Sequence, residues 1–278
     1  MDFLIFLQSF ARPALDTFFQ AVTLLGEDTF MIALAVAVYW CFDKRLGFRL
    51  GALYCLSMIL NNSIKEVVAA PRPIGMEGIR SLSIESATGY SFPSGHTQGT
   101  TSFWTTLSQA FHRWWLYALA LGVIALVGFS RLYLGVHYPE DVLWGAVFGI
   151  AVTVVGGPII TALENHRFTL WWPCLLLAGA VGAALLLGAG ADSYKACGAL
   201  AGIFTGRILD EKYIHFEVQG GIFFNIFKLL AGMAVLLAIK EALKGALPEG
   251  PAGDFTRYLA VGIWTSAGAP WIFTRMRR

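Results

Sequence analysis

The sequence predicts an all-α fold, a polytopic membrane helix bundle. Of its 278 residues, 56% are hydrophobic and 14% charged, where a soluble domain carries roughly 25% charged residues. The mean hydropathy is +0.63, and several runs approach the ~20 apolar residues that a bilayer crossing needs. The net charge is only +2 and the basic residues are scattered, which argues against a nucleic-acid partner. Cys41, Cys55, Cys174 and Cys197 lie in or beside apolar runs with no CxxC spacing. They read as small hydrophobic packers, neither a disulfide framework nor a metal site.

Taken in order, residues 3–25 are apolar but interrupted by Arg12-Pro13. That break predicts a kinked first helix or one lying at the interface. No basic segment followed by a cleavage site opens the chain, so no removed signal peptide is expected. Spans at 29–42 and 46–64 flank the short basic turn Asp43-Lys44-Arg45. A polar stretch from Lys65 to Gln98 comes next, then spans near 97–111, 114–129 and 139–163. After Glu164-Asn165-His166-Arg167 the apolar runs resume at 168–190, 194–208, 221–243 and 256–274, giving nine or ten helices. Pro248-Glu249-Gly250-Pro251 reads as a loop.

Alternating traversal sets the orientation. Lys44, Arg45, Arg49, Arg113, Arg167, Arg207, Lys212, Arg275, Arg277 and Arg278 fall on one side, ten basic residues. Arg80, Lys195, Lys240, Lys244 and Arg257 fall on the other, together with Lys65, Arg72 and Arg131. The richer side is expected to be cytoplasmic. The polar 65–98 stretch and the 129–139 turn therefore face outward.

Three separated segments meet on that outer face. Lys65-Glu-Val-Val-Ala-Ala-Pro-Arg72-Pro73 closes one span, and Pro93-Ser94-Gly95-His96 opens the next helix. Ser130-Arg131, His137 and Asp141 lie in the turn between two long apolar runs. If a helix begins near His137, Asp141 shares its face. A carboxylate bonded to one imidazole nitrogen fixes the tautomer and makes the other a better nucleophile. A Ser-Gly helix start offers free backbone N–H groups and a positive dipole end to an anion. Arginine adds planar recognition of phosphate oxygens and lysine a point charge. Each feature alone has a structural explanation: snorkelling for Lys65 and Arg72, a helix cap for Ser94, a packing pair for His137 and Asp141. Together they form an inventory for metal-independent phosphoryl transfer.

The same segments read K-x6-R-P, P-S-G-H and S-R-x5-H-x3-D. In this the chain resembles the type 2 phosphatidic acid phosphatase (PAP2) superfamily, whose pattern it meets without a substitution. The resemblance covers roughly residues 1–165 and implies a six-helix PAP2 core there. The remainder, 166–278, would be an extension of three or four further transmembrane helices. The resemblance implies that His137 is a nucleophile forming a phosphohistidine, with Asp141 as its orienting partner. It implies that His96 is the general acid for the leaving alkoxide and then the base for water. Lys65, Arg72 and Arg131 would hold the phosphate oxygens, with Ser94 and Gly95 donating a hydroxyl and a backbone N–H. No metal and no cofactor are expected.

A site at span ends suits a lipid phosphate entering sideways from the membrane. Twenty residues, Ile74 to Pro93, run from the end of the first motif to the start of the second, with Tyr90 and Phe92 nearby. That leaves little room for an external cap. The expectation is a multi-pass protein of the cell membrane with its site on the extracytoplasmic side, acting on a lipid phosphate or diphosphate, foremost undecaprenyl diphosphate. Phosphatidylglycerophosphate and related lipids are the other substrates that such a lidless outer site suggests. A phosphotransferase using the same site and a lipid transporter or flippase are the alternatives. Lys228, inside an apolar run near the inner interface, is expected to snorkel. The extension could dimerise two copies, shield a tail groove or hold a second activity.

Overall fold

The computed structural model describes residues 2–165 and 190–276, with Gly179 and Gly182 between them. The expected span at 168–190, Cys174 and Arg167 fall outside the described residues. Among the described residues the fold is helical with no strand.

Pro13 splits the first apolar run, because it lacks an N–H and pushes Arg12 into extended backbone (φ −145°, ψ 153°). The result is α1 (Asp2–Gln8), too short to cross a bilayer, and α2 (Pro13–Thr23). A 3-10 turn, Leu24–Gly26, leads into α3 (Asp28–Cys41), bent by 49° from the segment before it. Asp43 then caps α4 (Lys44–Val68), accepting from Arg45 N at 2.8 Å and Leu46 N at 2.9 Å. With 25 residues it is roughly 37 Å long, and it ends where Ala69 turns left-handed at φ 50°. The core continues with α5 (Gly95–Phe111), α6 (Trp114–Tyr133) and α7 (Pro139–Asn165). Beyond the undescribed stretch come α8 (Ala191–Leu209), α9 (Ile222–Ala246) and α10 (Pro251–Ile263). A π-turn, Trp264–Gly268, carries the chain into α11 (Ala269–Arg275).

Three described helices, α6, α7 and α9, are long and apolar enough to cross a membrane, four with the bent α2–α3 pair. The expected spans in α4 and α8 fall short of that measure because they are inner helices carrying polar side chains, and α5, as polar, is also short at 17 residues. Ser57, Asn61, Gln98, Thr100, Ser102 and Ser193 are all buried there, facing protein where lipid would not tolerate them. The outer helices carry the opposite pattern, with Trp114, Leu121, Val155, Phe223 and Leu230 exposed, as lipid-facing positions require.

One apolar core runs through both halves of the chain. Trp40 and Phe48 of the first half pack with Phe204, Phe216 and Phe273 of the second. Trp40 meets Phe273 edge-on at 5.4 Å and Phe48 meets Phe204 at 5.2 Å. The Trp40 indole N–H donates to Thr265 O at 2.8 Å. Truncating an aromatic side chain so buried costs about 3–5 kcal/mol. Cys41, Cys55 and Cys197 are free and buried in the same core, as expected of packers. Close approach of α8 to α10 depends on Gly202, where an added Cβ would stand 2.8 Å from the Gly262 Cα.

Polar pairs mark the end of the bundle away from Lys65. Lys44 bonds the buried Asp210 at 2.7 Å, Arg49 pairs with Glu164, and Arg207 pairs with Glu211. Lys228 corrects an expectation. It does not snorkel: it is fully buried, donates to Trp40 O at 2.6 Å, and sits 5.4 Å from the Phe224 ring. The carbonyl of α3 and the aromatic faces supply inside the protein what the interface would have supplied outside.

Candidate active site

Helix ends bring the three motif segments together. Lys65 lies in the last turn of α4, Arg72 in the loop after it, and Ser94, Gly95 and His96 at the start of α5. Arg131 lies in the last turn of α6, His137 in the turn that follows, and Asp141 in the first turn of α7.

Asp141 is the hub. Its Oδ2 accepts from the Ser91 hydroxyl, from Tyr138 N at 2.8 Å, and faces His137 Nδ1 at 3.2 Å. Its backbone carbonyl accepts from Ser94 N at 3.0 Å, while Ser91 N donates to Ala70 O at 2.9 Å. Second and third motifs are thus tied directly, and Ser91 ties both to the first.

Arg72 Nη1 stands 2.9 Å from His137 Nε2. A guanidinium has no acceptor, so Nε2 must accept and the imidazole proton belongs on Nδ1, facing Asp141. The lone pair of Nε2 therefore points away from the carboxylate, toward the cations. Arg72 is fixed by four acceptors in all, donating also to Thr88 O at 2.7 Å, Gly89 O at 2.9 Å and Val136 O at 2.9 Å. Burial lowers its guanidinium to about 10, opposed by Asp141, so it stays cationic at neutral pH. Burial first, then the charges of Arg72 and Arg131, push the His137 imidazole well below its ordinary value.

Lys65 Nζ donates to the same Thr88 carbonyl at 3.2 Å. Arg131 is completely buried. Its Nη1 donates to Thr23 Oγ1 at 2.7 Å and Ser86 Oγ at 3.1 Å. Its Nε and Nη2, like His96 Nε2, are buried without a hydrogen-bond partner among the described residues. Buried donors in that state need an acceptor, and a phosphate oxygen is one. The Ser94 hydroxyl caps α5, accepting from Thr97 N. Ser130 donates to Val127 O at 2.6 Å, a bond local to its own turn.

The loop is supported by residues that sequence reasoning missed. Asn61 Nδ2 donates to Pro93 O at 3.2 Å and Gln98 Oε1 at 2.9 Å, and Gln98 Nε2 donates to Ser57 O at 2.8 Å. No spacing rule marks such residues; buried amides on two neighbouring helices are the only signal. Helix α7 presses against this frame through Gly149, where an added Cβ would stand 2.6 Å from the Gln98 carbonyl oxygen. Gly149→Val is expected to destabilise the protein by about 1–3 kcal/mol through overpacking. Thermal unfolding in detergent checks it, and an unchanged midpoint would show slack between α5 and α7.

Lys65, Arg72, Gly95, His96 and His137 border a cavity of 430 Å³. Ser94, Arg131 and Asp141 are buried around them without bordering it. Its opposite wall comes from the extension: Asp192 and Lys195 of α8, Met233 and Lys240 of α9, Tyr258 of α10. Asp192 accepts from Thr88 Oγ1 at 3.2 Å and from Lys195 at 2.7 Å. The extension is thereby linked through Thr88 to both Lys65 and Arg72. Among the described residues no three His, Cys, Asp or Glu side chains group as a metal site.

Comparison with known proteins gives matches in both parts of the chain. Residues 46–165 match the family model described as the PAP2 superfamily. Residues 194–278 match the one described as PAP2 superfamily phosphatase, transmembrane extension. Sphingosine-1-phosphate phosphatase 1 of Rattus norvegicus is 29% identical over 56% of this chain and 38% of its own length. Undecaprenyl-diphosphatase of Sulfolobus acidocaldarius is 33% identical over 38% of this chain and 51% of its own. Matches thus cover less than two thirds of either relative. Among solved structures, Aquifex aeolicus LpxE is 26% identical with a TM-score of 0.46, covering 55% of this chain and 92% of that one. The chain is a PAP2 superfamily domain followed by the transmembrane extension of that superfamily's phosphatases.

Proposed function

We propose that this protein is an integral membrane lipid phosphatase working through a phosphohistidine. The observation that carries it is the convergence of Lys65, Arg72, Arg131 and two imidazoles around Asp141, beside one cavity. Lys65, Arg72 and Arg131 hold the phosphoryl oxygens, with the start of α5 adding backbone N–H groups from Gly95 onward. His137 Nε2 attacks phosphorus, forming an N–P bond as the P–O bond to the lipid breaks. His96 gives its proton to the leaving oxygen, that of an alkoxide from a lipid monophosphate or of the lipid phosphate itself from a diphosphate. It then takes a proton from water, which attacks phosphorus, breaks the N–P bond and releases inorganic phosphate. Entry of substrate requires Arg72 to exchange its contact with Nε2 for one with the phosphate.

The catalytic unit is residues 1–165, with 166–278 as its transmembrane extension. The site belongs on the extracytoplasmic side of the cell membrane. Support comes from the excess of basic residues on the opposite side and from the grouping of Lys44, Arg49 and Arg207 at the far end of α4 from Lys65. The relatives' names point to two substrates, sphingosine-1-phosphate and undecaprenyl diphosphate. We take a lipid phosphate as the class and undecaprenyl diphosphate as the leading member.

The test is phosphate release by the detergent-purified protein over undecaprenyl diphosphate, phosphatidylglycerophosphate, phosphatidic acid, sphingosine-1-phosphate and a soluble phosphate ester. Preference for one lipid is expected, undiminished in EDTA. Strict dependence on added Mg²⁺ would overturn the metal-free cycle, and silence across the panel would overturn the phosphatase reading.

A further inference from the structure

The cavity at His137 does not end there. A second cavity of 70 Å³ shares Ile32, Tyr54, Cys55, Ala199, Tyr258 and Val261 with it. It runs between α3 and α4 of the core and α8 and α10 of the extension, as far as Tyr39 and Phe48. Most polar side chains along it have hydrogen-bond partners within the protein. Tyr54 OH donates to Asp28 at 2.6 Å, Tyr39 OH to Ser266 O at 3.2 Å, and Ser266 Oγ to Gly262 O at 2.7 Å. What the walls present is carbon. An apolar cavity costs stability wherever it stands open, so one that continues a catalytic cavity calls for an apolar ligand.

We propose that this second cavity is the tail site: one hydrocarbon chain of the phosphorylated lipid lies between core and extension while its phosphate stays at His137. The inference rests on the phosphatase reading above. It gives the extension a task in substrate selection, because α8 and α10 form one side of the passage. Two positions from opposite walls control it. Ile203 of α8 borders the second cavity and not the first. Gly51 borders the second, and a Cβ added there would meet only the Ile203 Cδ1, at 3.4 Å. A larger side chain at either position fills the passage without lining the catalytic cavity, which neither residue borders.

The experiment measures kcat/KM for n-alkyl phosphates from butyl to dodecyl, with KM expressed as free aqueous concentration, for the wild type, Gly51→Leu and Ile203→Trp. In the wild type kcat/KM is expected to rise by about fourfold per methylene buried until the cavity is full. Both variants are expected to lose that rise while keeping butyl phosphate turnover, which also certifies that they fold. Chain-length dependence unchanged in a variant that still hydrolyses butyl phosphate would overturn the tail site alone. No turnover of any alkyl phosphate by the wild type would overturn the phosphatase reading and this inference with it. Should one variant misfold, the other, from the opposite wall, decides.

Discussion

His137→Ala is expected to abolish phosphate release, whereas His96→Ala slows it by roughly 10²–10⁴-fold, the usual range for acid-base assistance. The asymmetry follows from the geometry. His137 Nε2 is the only imidazole nitrogen here set opposite a carboxylate-bound Nδ1, the Asp141 contact being 3.2 Å. In the proposed cycle His96 supplies a proton, a task that water can perform less well. Because burial, and after it the neighbouring cations, hold the His137 pKa well down, its base form persists as pH falls through 6.5. The acid limb of kcat/KM should then report the substrate's own second ionisation, near pH 6. Substantial turnover by His137→Ala would remove the covalent intermediate. An enzyme limb near 6.5 would show that the cations do not act on it as placed.

Arg131→Lys carries the second large effect, a loss of about 10²–10³-fold in kcat, the scale of one missing transition-state donor. Charge survives the change, but the fork does not. Nη1 is committed to Thr23 and Ser86, so in the proposed cycle the partnerless Nε and Nη2, buried just behind the cavity wall, are left for the phosphate, and lysine lacks both. Thermal unfolding distinguishes the alternatives. A variant equally inactive but strongly destabilised would make Arg131 a strut for Thr23 and Ser86. A stable variant within a few-fold of wild-type kcat would remove it from the phosphate site.

The motif residues were legible because each segment is short, local and rich in charge that an apolar chain does not carry without cause. Their supports were not. Ser91, Asn61, Thr88 and Gln98 are ordinary polar residues whose partners lie 50, 37, 104 and 41 positions away in sequence, and only tertiary packing gives them a task. Helix positions were readable from hydropathy, and α4 through α7 begin and end within a few residues of the apolar runs. Burial was not readable from the same signal. Lys228 has the sequence neighbourhood of a snorkelling lysine, and partners brought by tertiary packing, among them Trp40 O, Gln219 O and the Phe216 and Phe224 rings, keep it inside. The extension's share of the cavity was invisible for a similar reason, since Asp192, Lys195 and Tyr258 belong to no pattern.

The contact of α7 on α5 at Gly149 is backbone against backbone, so those two helices have no slack to give. Helix α9, by contrast, buries only Lys228, Gly232 and Leu236, yet it forms part of the opposite wall. The cavity therefore has a stiff side, which holds the imidazoles, and a compliant side, which borders the lipid. Changes in bilayer thickness or lateral pressure would be felt first at α9 and would alter how readily a lipid enters, leaving the alignment of His137 and Asp141 untouched.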